Sequence, residues 1–296
     1  MPQFYTNDFP LSTLDAPWAA FLSRASSLPA ASASLISAFT GAAAGHWEAF
    51  HATHAAGFFK PRAFLGAAFP VLSTARHVLE VGVGSGSNLP GLLASGAVER
   101  VYGCELSGSA LRAAGASPQA AAALAANRLE LFLWDAHTGE APPALCAAAA
   151  AAPPPPLPAR LSGGMDAVVM TFVASALPPA AHPALFARCA AALAPGGALC
   201  FRDYGERDCA QLRALDGAML TPWLHARPDG TLAFFFSAEG ARALLEGAGL
   251  AVEELAVHTV RNRNRKTGAE LMRVFVHAVA RKPPPAREAG GAGKAP

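Results

Sequence analysis

His77 to Leu93 reads HVLEVGVGSGSNLPGLL, and this stretch packs an apolar strand, a glycine-rich turn and a helix start into consecutive positions. Val78, Leu79 and Val81 have the near-continuous apolar character of a strand covered on both faces. Gly82, Gly84 and Gly86 then let the backbone turn sharply and approach a ligand without Cβ clashes. Helix amide groups follow at once, so the turn suits a dinucleotide phosphate or the ribose and methionine portion of S-adenosylmethionine. Spacing separates the two. A dinucleotide fingerprint needs G-x-G-x-x-G, but Ser87 follows three residues after Gly84, and counting from Gly86 fails at Asn88 and Leu89.

Acidic residues at strand ends sharpen this reading. Glu80, two residues before the first glycine, can accept hydrogen bonds from turn amides or a substrate ammonium. Val101 to Cys104 reads as a second strand ending in Glu105, ~20 residues past the glycines, where a doubly wound fold places the carboxylate that holds ribose hydroxyls. Leu129 to Trp134 reads as a third strand ending in Asp135, whose carboxylate or neighbouring amides, at Ala136, can hold an adenine edge. Any one of these acids alone reads as a solvated loop charge; three at successive strand ends read as a cofactor site. The pattern E-x-G-x-G is similar to the first motif of Rossmann-like S-adenosylmethionine-dependent methyltransferases.

Strands and helices keep alternating downstream. Asp166 to Phe172 reads as a fourth strand, His182 to Leu193 as a helix, Ala198 to Arg202 as a fifth strand after the Pro195-Gly196-Gly197 turn, and Ala238 to Gly247 as a helix. Strands near Ala251 to Val260 and Arg273 to Ala280 are joined without a helix and are expected to pair antiparallel. The expectation is an α/β, Rossmann-like seven-stranded sheet, mostly parallel with an antiparallel last strand and helices on both faces, preceded by an N-terminal helical extension. Ligands in such sheets bind beyond the strand carboxyl ends, where Glu80, Glu105, Asp135, Thr171 and Asp203 fall. Residues 1 to 44 read as a partly ordered Ser/Ala/Pro-rich lead, 45–281 as the catalytic domain, about 137–164 as a low-complexity Ala/Pro surface insert, and 282–296 as a disordered tail.

Bulk properties set limits. The 296 residues are 52% hydrophobic and carry a net charge of +2, so a sizeable core is available but no large basic field. Any nucleic acid is held by local patches or with a partner protein. The five cysteines, Cys104, Cys146, Cys189, Cys200 and Cys209, include no C-x-x-C pair and read as reduced thiols; no metal is expected. No signal peptide or membrane-length apolar run is evident, and a soluble cytoplasmic or nuclear protein is expected.

Further segments give the pattern specificity. Trp47-x-x-Phe50, Phe58-Phe59-Lys60-x-Arg62, Phe201-Arg202-Asp203-Tyr204-Gly205, Arg227-x-Asp229-Gly230-Thr231 with Phe235-Phe236, and Asn264-Arg265-Lys266 with Arg273-Val274-Phe275 closely resemble the tRNA 3-methylcytidine methyltransferases of the methyltransferase-like group. The resemblance spans about Gly45 to Arg281. It implies methylation of cytidine N3 in the anticodon loop of particular tRNAs, in some members with an accessory protein such as an aminoacyl-tRNA synthetase. It implies cofactor contacts from Trp47, the glycine loop, Glu105, Asp135 and the strand end near Thr171. The chain departs from the family with His51 for Tyr, Val83 for Cys, Glu105 for Asp and Pro61 for the Asp of F-F-K-D-R; His51 can still donate to the cofactor carboxylate.

Neutral cytosine N3 carries its own lone pair, so the reaction requires alignment rather than a strong base. Because the methylated ring is cationic, a carboxylate facing it stabilises the developing charge. Asp203 is the candidate, with a salt bridge to Arg202 or a helix cap as its alternative role. Tyr204, Phe172 or Phe235 can stack on a base swung out of its loop, or can simply be core. Lys60, Arg62, Arg202, Arg227, Arg263, Arg265 and Lys266 are the candidate RNA contacts. Methylation of a small molecule or protein, or a catalytically silent cofactor- or partner-binding scaffold, are the alternatives.

Overall fold

The computed structural model describes residues 4–29, 31–54, 62, 64–135, 138, 161, 163–263 and 268–284. Its centre is a seven-stranded sheet of order β3-β2-β1-β4-β5-β9-β8. These are β1 (His77–Val81), β2 (Arg100–Glu105), β3 (Leu129–Leu133), β4 (Met165–Thr171), β5 (Leu193–Tyr204), β8 (Ala251–Arg263) and β9 (Glu270–Arg281). β1 to β5 pair in parallel; β9 inserts between β5 and β8 and runs antiparallel to both. The expected antiparallel pairing of the last two segments thus takes the form of a hairpin whose second strand enters the sheet. Val274 to Ala280 are buried without interruption, the mark of a strand covered on both faces.

Two apolar layers sandwich the sheet. One side packs Leu79, Met170, Leu199 and Val276 against helices His182–Ala192 and Ala238–Gly247, through Leu185, Phe186, Ala241 and Leu245. The other packs Val78, Val101 and Val169 against Leu65, Phe69, Leu89 and Leu92. Strand order reverses between β1 and β4, because the chain builds outward to β3 on one side and then returns to start β4 on the other. Such a switch point leaves a crevice beyond the strand carboxyl ends.

The described part of the N-terminal lead carries helices. It is built into the domain: α1 (Asp15–Ser27) buries Phe21, and Phe9 and Leu14 pack on Val274 with Leu11, Leu212 and Met272. Asp8 N–H donates to Thr259 O at 2.9 Å and Thr259 N–H to Thr6 O at 3.0 Å, so residues before α1 pair with the edge strand β8. Apolar residues spaced irregularly along a Ser/Ala-rich stretch bury here against a preformed sheet edge rather than against one another.

A second sheet of two short strands, β6 (Leu224–Ala226) and β7 (Leu232–Phe234), is an addition to the expected topology. Its turn is Arg227 to Thr231, where Asp229 Oδ1 accepts from Thr231 N–H at 3.0 Å and from its hydroxyl at 2.7 Å, and Gly230 adopts φ +81°. Ile36 and Phe39 of α2 (Ala33–Gly41), themselves partly buried, pack against the buried Leu220, Leu224 and Leu232. Most of the Ala/Pro-rich insert, the tail beyond residue 284 and Cys146 lie outside the described residues.

Candidate active site

A cavity of about 380 Å³ opens at the switch point, within the size range of small-ligand pockets, about 300–1,000 Å³. Its floor is the end of β1 with the glycine turn, the ends of β2 and β3, and the end of β4. Its roof is Thr40, Gly41, Ala43 and Ala44 with Trp47 and His51, from α2 and α3 (Ala43–Thr53).

Glycines are required at two points of the floor. Gly82 has φ +67° and a Cβ there would collide with Val173. Gly86 has φ +87° and a Cβ would meet Ala114 and Leu89 at 3.2 Å. Both positions combine a left-handed backbone with a close neighbour, which side chains do not tolerate. Asn88, just beyond, is 1% exposed and donates through Nδ2 to Glu80 Oε1 at 2.8 Å and to Thr171 Oγ1 at 3.0 Å. Arg62 Nη1 also donates to Thr171 Oγ1, at 2.5 Å. One network therefore joins the ends of β1 and β4.

That network is incomplete. Glu80 Oε2 and Asn88 Oδ1 are buried with no hydrogen-bond partner, and so are Ser85 Oγ and the Trp134 indole Nε1. Burial raises the Glu80 carboxyl to about 8, offset only in part by Asn88 and Arg62. A buried acid holding its proton at neutral pH beside unpaired acceptors is prepared for a cationic group that would let it ionise. Glu105 is differently placed: Gly84 N–H donates to its Oε2 at 2.9 Å, and Leu106 and Ser107 N–H donate to Oε1 at 2.8 and 3.2 Å. Burial raises this carboxyl also, against those amide hydrogen bonds. Its fixed oxygens suit vicinal hydroxyls. Asp135 and Thr138 line the third-strand side.

Trp47, His51, Glu80, Gly82, Gly84, Glu105, Asp135 and Thr171 all line one cavity; Ala136 lies outside the described residues. His51 is held below its ordinary value by burial, then raised in part by Glu48. The other nominated residues are more dispersed. Asp203 is fully buried and does not line the cavity: its Oδ2 accepts from Ser175 N–H at 2.9 Å and its Oδ1 from Tyr204 N–H at 2.8 Å. It therefore faces the backbone behind the wall rather than an acceptor. Tyr204 is half-buried beside Phe172, ring centroids 5.2 Å apart, and also stands outside the lining.

The cationic residues need correction. Arg202 is 3% exposed, stacks on Phe275 at 4.6 Å and Phe4 at 5.1 Å, and donates through Nη1 to His258 Nδ1 at 2.7 Å. Burial, followed by the Arg62 charge, lowers its guanidinium to about 10. An arginine enclosed this way by aromatic rings is a core cation in this fold. Arg62 lies in the cavity wall over Phe172 at 4.6 Å. Arg227 donates to Leu232 O at 3.0 Å and braces its own turn. Arg263 is exposed at the end of β8; Lys60, Arg265 and Lys266 lie outside the described residues. Phe235, 1% exposed, is core.

Two residues that the sequence did not single out hold the roof. Glu48 on α3 accepts from Ser107 and Ser109 at the start of helix Gly108–Gly115. His46, two residues earlier on the same helix, packs where a Cβ on Gly230 would stand, 2.7 Å from its ring. The signal available for the first was Ser107 as an N-cap, whose hydroxyl accepts from Ala110 N–H at 3.1 Å. Among the described residues, burial raises the thiols of Cys104, Cys189, Cys200 and Cys209, which disfavours their thiolate forms.

The methyltransferase-domain family matches residues 51–255 of the chain. The chain is 32% identical over 248 residues to the tRNA N(3)-methylcytidine methyltransferase Mettl2 of Drosophila melanogaster, covering 80% of this chain and 70% of the relative. It is 31% identical over 225 residues to the tRNA N(3)-cytidine methyltransferase METTL2 of Danio rerio, covering 72% of this chain and 56% of the relative. Among solved structures, a chain of the complex between the Haloferax volcanii Trm112 methyltransferase activator and a methyltransferase superposes with TM-score 0.55 at 15% identity, covering 83% of this chain and 100% of that one.

Proposed function

The chain belongs to the methyltransferase-domain family, and on that premise we propose that it transfers the methyl group of S-adenosylmethionine to N3 of a cytidine in the anticodon loop of a tRNA. The observation that carries the acceptor is the similarity to tRNA N(3)-cytidine methyltransferases across most of the chain. The cavity carries the cofactor.

The residues present fit S-adenosylmethionine. Glu80 and Asn88 offer unpaired buried acceptors to its ammonium, Glu105, its carboxylate fixed by the Gly84, Leu106 and Ser107 amides, offers its remaining lone pairs to the ribose hydroxyls, and Asp135 with Trp134 and Leu106 line the wall where the adenine belongs. Trp47 and His51 close over it from α3. When bound, the cofactor supplies an electrophilic methyl on a sulfonium. The chain's own work is alignment and water exclusion: the glycine turn admits the ligand close to the backbone, α2 and α3 cover it, and the Thr171–Phe172 strand end forms the remaining wall. No side chain has to remove a proton from neutral cytosine N3.

Arg263 and, on sequence grounds, Lys60, Arg265 and Lys266 supply phosphate contacts in this reading. With a net charge of only +2, an accessory protein such as an aminoacyl-tRNA synthetase, in cytosol or nucleus, is its natural companion. Among the described residues no helix is long and apolar enough to cross a membrane. Nucleoside mass spectrometry of tRNA incubated with the protein and S-adenosylmethionine, with and without such a synthetase, tests the proposal. 3-Methylcytidine is the expected product; a transferred methyl at any other position, or none in either arm, removes the acceptor assignment.

A further inference from the structure

Phe172 has φ +59°, a left-handed conformation that a bulky aromatic residue adopts only when its surroundings impose it. It lines the cavity at the end of β4, its ring 4.6 Å from the Arg62 guanidinium. Three contacts impose the conformation on the turn it begins. Val173 fills the space left by the missing Cβ of Gly82. His182 Nε2 reaches Ala174 O at 2.9 Å and Leu177 O at 3.2 Å, carrying the proton between two carbonyls. Asp203, wholly buried, receives Ser175 N–H at 2.9 Å, and the Ser175 hydroxyl bonds it too.

Of the three, Asp203 alone ties the turn to the neighbouring strand through a charged group. Resting on the methyl-transfer reading above, we infer that Asp203 is a positioning residue: by gripping Ser175 it holds Phe172 in its left-handed conformation, so that the Phe172 ring forms the wall against which the acceptor base is placed. Phe172, Val173, Ala176 and Leu177 line the cavity, whereas Ser175 and Asp203 stand behind it, so the carboxylate acts on the acceptor only through the turn. Hydrogen bonds to charged acceptors are worth about twice neutral ones, enough to offset much of the strain at one residue.

The charged and titratable groups around Asp203 are Arg62 in the cavity wall, Arg227 on the β6–β7 turn, and its chain neighbours Arg202 and Tyr204. Burial raises its carboxyl to about 6, against the hydrogen bonds from Ser175 and Tyr204. Protonation removes charge from the grip, so the Ser175 amide proton reports it directly.

Two measurements test the inference. In the isotope-labelled wild-type protein, the Ser175 amide resonance is expected to titrate between pH 5 and 7, roughly one unit either side of the carboxyl value. A Ser175 amide resonance that is invariant across that range and also stays in place between wild type and Asp203→Asn overturns the grip, and this test needs no tRNA. In a double-mutant cycle, Asp203→Asn and Phe172→Leu are each expected to lower kcat about tenfold with little change in S-adenosylmethionine affinity by calorimetry, and the double variant about tenfold rather than a hundredfold. Additive losses overturn action through Phe172. If wild-type protein makes no 3-methylcytidine, the acceptor reading fails while the Ser175 titration still decides the grip.

Discussion

Glu48, on α3, accepts hydrogen bonds from Ser107 Oγ at 2.7 Å and Ser109 N–H at 3.2 Å, at the amino end of the helix that follows β2. A carboxylate at a helix N-terminus also meets the positive end of the helix dipole. Burial works against its charge, yet the Ser107 and Ser109 hydrogen bonds bring the group below its ordinary value. Glu48→Ala is therefore expected to loosen the roof and weaken S-adenosylmethionine binding about tenfold, about 1.4 kcal/mol, measured by calorimetry. Unchanged affinity would show that the roof does not depend on this contact.

With Glu80 receiving the cofactor ammonium as proposed, binding is expected to release a proton. The Glu80 carboxyl, at about 8, is roughly nine-tenths protonated at pH 7 and should ionise when an ammonium arrives. Calorimetry in buffers of different ionisation enthalpy is expected to show a release approaching one proton per ligand at pH 7, declining above pH 8. Glu80→Gln should abolish the release and weaken binding.

Four buried histidines, His182, His225, His258 and His277, are driven down by burial to about 4, 4, 4 and 3. Each takes up a proton in the unfolded chain near pH 6.5 but resists it when folded, so stability is lost as pH falls from about 6.5 toward 4. Asp203 and Glu80 act in the opposite sense, since their raised values favour the folded state at low pH. Denaturant midpoints at a series of pH values check the balance, and His277→Phe is expected to flatten the acid limb.

Gly230→Ala places a Cβ 2.7 Å from the His46 ring at a φ of +81°. A cost of about 1–3 kcal/mol and a melting temperature lower by a few degrees are expected. Gly217, with nothing within 4 Å of a built Cβ, supplies the control: its alanine variant should melt near wild type.

Arginines divide by burial. Arg263→Ala is expected to reduce the slope of log affinity for tRNA against log salt by about 1, as one lost phosphate contact does. Arg202→Met should leave the slope unchanged and alter only stability, because its guanidinium is enclosed by Phe4, Phe64 and Phe275.

The strands and the glycine turn were legible because buried parallel strands are continuous apolar runs and because Gly82 and Gly86 occupy a conformation other residues avoid. The acids at their ends follow from the same frame, which is why Glu80, Glu105 and Asp135 arrive in one cavity. What escaped depends on contacts between distant segments. Strands of three residues, Leu224–Ala226 and Leu232–Phe234, carry too little periodicity to be seen. Arginine and aspartate are usually exposed, so Arg202 and Asp203 read as site residues although the fold buries both. Glu48 has no local signature; only folding brings it to Ser107.

The order of synthesis gives the roof a different significance. Helices α2 and α3 leave the ribosome before any surface they rest on: the Ser107–Ser109 helix start comes next, and Leu224, Gly230 and Leu232 follow much later. Nascent chains that end short of the β6–β7 hairpin lack the Leu224 and Leu232 side chains on which α2 packs, and are expected to retain the ligand less well even where β1 and β2 have already paired.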